Sequence, residues 1–223
     1  VASGELNREI GGLSARPDIN LEVARQPLQI MGGSASVYEP DPTPKQRNRR
    51  SLYAEKLRGL RDPFFETFNQ PGSTNSCEIR ETSTVAPQAL TLINSKEMHD
   101  RALAFAHRLL KETQDDKQVI KRAFQLALGR APTPNETSIF LEAWRTATSD
   151  ESTLSPKESP LPNSIMRTVR AEKTGEFYTF KEFLPASKLY KADLDRSQCN
   201  ARIRGLSHLC LVIFNSNEFA YLN

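Results

Sequence analysis

The densest chemistry in the chain lies in Cys77-Glu78-Ile79-Arg80-Glu81, where a thiol, a guanidinium and two carboxylates stand close together. Two carboxylates can serve as the acid and the base of sugar hydrolysis. The same set can form an Arg–carboxylate network that fixes a loop, with Arg80 as a bidentate clamp. The second use is favoured, because spacing within a loop does not set the carboxyl separation that hydrolysis needs. Cys77 as a nucleophile would require a base. His99, His107 and His208 are the only histidines, and none stands in a recognisable motif. His99 and His107 lie about two turns apart on one expected helix, too far to share a metal ion. No metal site and no cofactor is therefore expected in this chain.

Two further groups are candidates. Arg49 and Arg50 end the basic run Gln46-Arg47-Asn48-Arg49-Arg50. That run reads as a phosphate or sulfate patch or, preferably, as a solvated or ion-paired face. Asn215 and Asn217, with Glu218, can hydrogen-bond a sugar or shape a helix end and its turn. The candidate binding set is thus Arg49, Arg50, Cys77, Glu78, Arg80, Glu81, Asn215 and Asn217; catalytic residues stay unassigned.

The elements that must position these groups are mainly helices. Asn69 to Asn94 opens as a loop with Pro71 and Gly72, then turns into a helix start with Thr84 to cap and Pro87 in the first turn. Helices are predicted over about 87–93, 96–112, 117–128, 133–148 and 193–214. In the second, Met98, Ala102, Phe105, Ala106, Leu109 and Leu110 form one apolar stripe. Val119, Ile120, Ala123, Phe124, Ala127 and Leu128 do so in the third, which Gly129 stops. Thr133-Pro134-Asn135-Glu136 is a capping box with proline at the first position, and Ile139, Phe140, Ala143 and Trp144 are expected inward. The last helix turns Ile203, Leu206, Leu209, Cys210, Ile213 and Phe214 inward. A short helix is expected within residues 3–12 and another after the Asp62-Pro63 start. Residues 51–57 fit either strand or helix, and 176–180 either a strand or an extended arm.

The expected fold is mainly α: an irregular bundle of four to six helices wrapped by long extended segments. One domain is expected over 1–223. Residues 1–50 would wrap irregularly, 51–148 form the helical core, 149–163 link, and 164–223 supply an arm and a last helix that packs back.

Composition sets the bounds. At 223 residues, with 38% apolar and 26% charged, the chain can bury a real core. A net charge of +3 is too weak to imply nucleic acid. No run of apolar residues is long enough to span a membrane. The chain begins at Val1 and reads as a piece of a longer protein or a processed product. Three cysteines occur, Cys77, Cys199 and Cys210. On one helix, Cys199 and Cys210 would sit roughly 16 Å apart, too far to bridge. Cys77 could pair with one of them in an exported chain; three buried free thiols are the preferred reading. No Cys-x-x-Cys-His occurs, so no c-type haem is attached here.

Several stretches, taken in order, carry a resemblance. They are Arg49-Arg50-Ser51-Leu52-Tyr53, Phe68-Asn69-Gln70-Pro71, Cys77-Glu78-Ile79-Arg80, Ser83-Thr84-Val85-Ala86-Pro87-Gln88-Ala89-Leu90, Arg122-Ala123-Phe124 with Leu128-Gly129-Arg130-Ala131-Pro132-Thr133, and Phe214-Asn215-Ser216-Asn217-Glu218-Phe219. Together they resemble the planctomycete-specific domain of unknown function that ends exported planctomycete proteins carrying cytochrome c domains. The resemblance implies a large exported, periplasmic parent, sometimes with an N-terminal haem domain, and an association with polysaccharide use. It carries over no catalytic residue, and whether the chain is an enzyme stays open. The expected role is a structural module, or one that binds glycan or the other domains of its parent. The alternative is part of an enzyme acting on polysaccharide, with the Cys77-Arg80-Glu81 loop near the site. Nucleic-acid binding through Arg47, Arg49 and Arg50 is the weakest reading.

Overall fold

A computed structural model of the chain describes residues 1–24, 29–30, 33–34, 37–57, 60, 62–71, 86–158, 160–171 and 173–220. In chain order its elements are α1 Leu21–Ala24, β1 Gln29–Ile30, β2 Gly33–Ser34, α2 Pro44–Arg47, α3 Pro63–Thr67, α4 Ala86–Asn94, α5 Lys96–Glu112, α6 Asp116–Leu128, α7 Pro134–Ser152, β3 Ser164–Arg170, β4 Phe177–Phe183, α8 Ala201–Phe214 and α9 Asn217–Ala220. Single 3₁₀ turns occur at Ser51–Tyr53, Pro185–Lys188 and Arg196–Gln198. The chain is mostly α-helical with a small amount of antiparallel strand. It divides into two compact units, one of Val1–Glu5, Thr84–Ser159 and Asp193–Asn223, the other of Leu6–Ser83 and Pro160–Ala192.

The first unit is helical, and local signals start and stop its helices. Ser95 caps α5 by accepting from the Met98 amide, and Asp115 caps α6 by accepting from Gln118 at 2.8 Å. Gly129 ends α6 at φ +75°, a left-handed conformation that costs other residues more. Thr133 and Glu136 close the capping box of α7, with Pro134 at its start. α8 packs most extensively on α7 and α5. The core between them holds Phe105, Leu109, Val119, Ile120, Phe124, Trp144, Leu206, Cys210 and Phe214. Phe105 stacks on Phe214 with centroids 5.4 Å apart. The Trp144 indole N–H donates to the Arg202 carbonyl at 3.0 Å, so its polar edge is satisfied inside the core.

Three expectations for this unit are corrected. α7 runs to Ser152 rather than about Thr148, through the start of the predicted linker. Its inward residues include Phe140, Leu141, Trp144, Thr148 and Glu151; Ile139 and Ala143 are exposed. The last helix begins at Ala201, not near 193. Asp195 first caps a 3₁₀ turn, and Asn200 then caps α8 by accepting from the Ile203 amide at 2.9 Å. Two capping residues so close together break what periodicity alone reads as one helix. Cys199 therefore precedes α8 and does not share it with Cys210.

In the second unit β3 and β4 form an antiparallel hairpin, registered from Ser164 opposite Phe183 to Arg170 opposite Phe177. Along β3, Ile165, Arg167 and Val169 are buried and the alternate residues exposed. Ile165 joins Ala24, Val37 and Leu184 in a small apolar cluster. The short helix expected within residues 3–12 does not form. Asn7 bridges to Arg49 instead, and Gly11 and Gly12 take φ of +81° and +83°. Residues 51–57 form neither a full helix nor a strand: one 3₁₀ turn is followed by isolated bridges at Ala54 and Leu57.

Candidate functional site

Of the candidate residues, Cys77, Glu78, Arg80 and Glu81 lie outside the described residues. Arg49 sits in the second unit and is engaged with backbone. Its guanidinium donates to the carbonyls of Leu13 at 2.7 Å, Gly11 at 2.5 Å and Glu9 at 3.2 Å. It also lies 3.9 Å over the Tyr53 ring. The Tyr53 hydroxyl in turn accepts from the Gly11 amide at 3.0 Å. Arg49 and Tyr53 thus hold the glycine-pair loop. Arg50 is exposed, 5.9 Å from the same ring. Asn215 and Asn217 belong to the other unit. Asn215 caps α8, and its side-chain amide donates to Leu211 at 2.8 Å and to the Leu92 carbonyl of α4 at 3.2 Å. Asn217 is exposed at the first position of α9.

The basic run contains a residue that sequence reasoning underrated. Arg47 is buried, paired with Asp18 at 3.0 Å, and donates to the carbonyls of Asp41 and Lys191, each at 2.8 Å. Its guanidinium lies 4.4 Å over the Tyr190 ring, whose hydroxyl donates to Asp18 at 2.8 Å.

Two carboxylate–arginine assemblies in the helical unit were not singled out from sequence. In the first, Arg130 forks onto two carboxylates. It donates to Glu136 at 2.7 and 3.0 Å and to Glu218 at 2.6 and 2.8 Å. Arg130 belongs to the Leu128–Thr133 motif and Glu218 to the Phe214–Phe219 motif, so two stretches quoted for the resemblance close on each other. The Arg130 hydrogen bonds, aided by the Thr133 amide, hold the Glu136 carboxyl at about 2, and Arg130 also lowers Glu218. Replacing Arg130 by Gln is expected to let both carboxyls titrate nearer the ordinary 4.5 and to lower the melting midpoint. Carboxyl-carbon NMR titration reads the first effect and thermal unfolding the second.

In the second assembly Glu151 is buried. One of its oxygens accepts from Arg196 at 2.5 Å and lies 2.7 Å from His208 Nε2; the other accepts from Arg204 at 2.8 Å. Burial by itself would raise this carboxyl. The hydrogen bonds from His208, Arg204 and Arg196 outweigh it and hold it at about 2. Arg204 also donates to the carbonyls of Glu151, Leu154 and Cys199. This is a fully partnered anchor between the end of α7 and the start of α8.

Cys199 and Cys210 are buried free thiols, and burial pushes both above the ordinary thiol value, against a nucleophilic role. Among the described residues no group of three His, Cys, Asp or Glu is placed to hold a metal ion. No described helix is long and apolar enough to cross a membrane.

The fold and its internal clamps define a helical module with a small β-hairpin. Residues 1–144 match the family described as PSD1, protein of unknown function (DUF1553), and the chain belongs to that family. Comparison with curated proteins and with solved structures finds no match.

Proposed function

We propose that this chain is a non-catalytic module of a larger exported protein, and that it holds a partner domain or a glycan rather than transforming one. In this reading α4 to α8 act as an irregular helical bundle. The observation that carries it is how the motif residues are used. Arg130 is occupied by Glu136 and Glu218, Arg49 by three backbone carbonyls, and Asn215 by the ends of α4 and α8. Groups engaged in this way stabilise a scaffold; a reacting group would need an open face toward its substrate. Exported, periplasmic placement beside cytochrome c or polysaccharide-active domains follows from the resemblance to planctomycete proteins and belongs to the same proposal.

The test is a thermal-shift screen of the chain at physiological salt against alginate, heparin, a neutral glucan, oligonucleotides and purified neighbouring domains. A ligand that binds only the folded state raises the midpoint. The expected result is a shift with one glycan class or one domain, with no new reducing ends released. Release of reducing ends that Glu78→Gln or Glu81→Gln abolishes would overturn this reading and establish the enzyme alternative.

A further inference from the structure

The outer face of the β3–β4 hairpin lies beyond the residues that match the family, and none of the clamps above uses it. Its rungs are Ser164 with Phe183, Met166 with Lys181, Thr168 with Thr179, and Arg170 with Phe177. Three large apolar side chains stand out on it: Met166 is 63% exposed, Phe177 72% and Phe183 68%. Each ring has a cation beside it. Arg170 lies 5.8 Å from the Phe177 centroid and Lys181 5.3 Å from that of Phe183. Arg170 is held there by its Nε–H, which donates to the Gly175 carbonyl at 3.0 Å. Lys173 in the connecting turn is exposed but stands between Glu172 and Glu176 in the sequence, so the cations of the face are Arg170 and Lys181. Among the described residues the face itself carries no carboxylate; Glu182 points to the opposite side and pairs with Arg167 at 2.6 Å.

We infer that this face docks an extended acidic polypeptide segment, which adds along an edge of the hairpin and presents both apolar and acidic residues, spaced two apart on one strand face, to Met166, Phe177, Phe183, Arg170 and Lys181. The inference rests on the reading of the chain as a binding module. Apolar rings and methionine flanked by arginine are the composition of interface centres, and the cations select a partner of opposite charge. The sheet has only β3 and β4, so each strand has one edge unpaired among the described residues, which suits strand addition. The strands are seven residues long and contain no proline that would blunt an edge. Other occupants fit less well. A neutral sugar needs directional polar groups, but the neutral hydroxyls at the centre of the face, Thr168 and Thr179, bond each other at 2.8 Å. Phe177 and Phe183 are about 20 Å apart along one strand, too far to stack neighbouring bases.

The experiment selects displayed random dodecapeptides against the whole chain, then measures the enriched peptides by anisotropy on wild type, on Arg170→Glu with Lys181→Glu, and on Phe177→Ala with Phe183→Ala. These side chains are exposed, so both variants should keep the wild-type melting midpoint. The expected result is enrichment of peptides in which apolar and acidic residues recur two positions apart, so that both kinds fall on one strand face, with binding weakened at least tenfold in both variants. No enrichment, enrichment of peptides without acids, or binding that both variants retain overturns the inference. So does concentration-dependent self-association lost in the phenylalanine variant, because a second copy would then be the occupant. Failure of peptide enrichment together with a glycan shift that both variants retain overturns the hairpin assignment while leaving the binding-module reading in place.

Discussion

Glu151→Ala should destabilise the helical unit by about 3–5 kcal/mol, the range for removing one partner of a buried ion pair. The side chain of Arg204 is only 8% exposed, and Glu151 is its counter-charge. Its bonds to backbone carbonyls survive the substitution, but its charge is left unneutralised. Arg196 and His208, with side chains 38% and 45% exposed, can turn to water, so they add less to the loss. The pH dependence has a definite sign. A carboxyl held at about 2, against an ordinary 4.5, contributes stability that is full above pH 4.5 and is lost as pH falls toward 2. A carboxyl lowered in this way is favoured ionised in the folded state, the same direction as the loss expected on mutation. Urea unfolding of wild type and variant from pH 7 to pH 2 reads both effects. The stability difference should shrink below pH 4.5; a difference that is flat with pH would mean that Glu151 acts through packing alone.

This anchor shows what a sequence can and cannot disclose. Helix starts are legible because a cap and the amide it satisfies lie within a few residues, as for Ser95, Asp115 and Thr133. The core stripe of α5 is legible for the same reason: Phe105 and Leu109 share a face whatever they pack against. Glu151 is different. It stands in Asp150-Glu151-Ser152, which reads as the edge of a polar linker, and its partners lie 45, 53 and 57 residues further on. Arg130 and Glu218 are 88 residues apart. Each stands inside a motif, but no local pattern pairs them. In sequence, Arg47 reads as part of a solvated or ion-paired run. Its burial depends on Asp18 and on carbonyls at Asp41 and Lys191, brought together only by the fold. Ion pairs with long sequence separation leave no periodic trace, so the sequence offers the charges without the pairing. The Cys77–Glu81 stretch, the densest chemistry in the chain, lies outside the described residues, and its role rests on the loop variants proposed above.

Gly205→Leu should abolish cooperative unfolding of the helical unit, and Gly205→Ala should cost about 2 kcal/mol. Gly205 lies on α8 where that helix meets α7. A Cβ there would stand 2.6 Å from the Thr148 hydroxyl, 2.7 Å from its amide nitrogen and 2.9 Å from its Cα. The first contact could be relieved by turning a side chain. The other two involve backbone, so the helices must separate across one of the most extensive packing interfaces in the chain. In an exposed helix interior the change to Ala would gain about 1 kcal/mol; here the clash should outweigh that gain and reverse the sign. Trp144, the only tryptophan, lies one turn before Thr148 on α7, so its fluorescence reports the separation directly. A second substitution separates the causes. Thr148→Ala removes the hydroxyl and leaves the backbone contacts, so the double variant with Gly205→Ala should recover only part of the lost stability. Full recovery would assign the clash to the hydroxyl alone. A stabilised Gly205→Ala would show that α7 and α8 can part without loss, and would remove close helix approach as the reason for a glycine at this position.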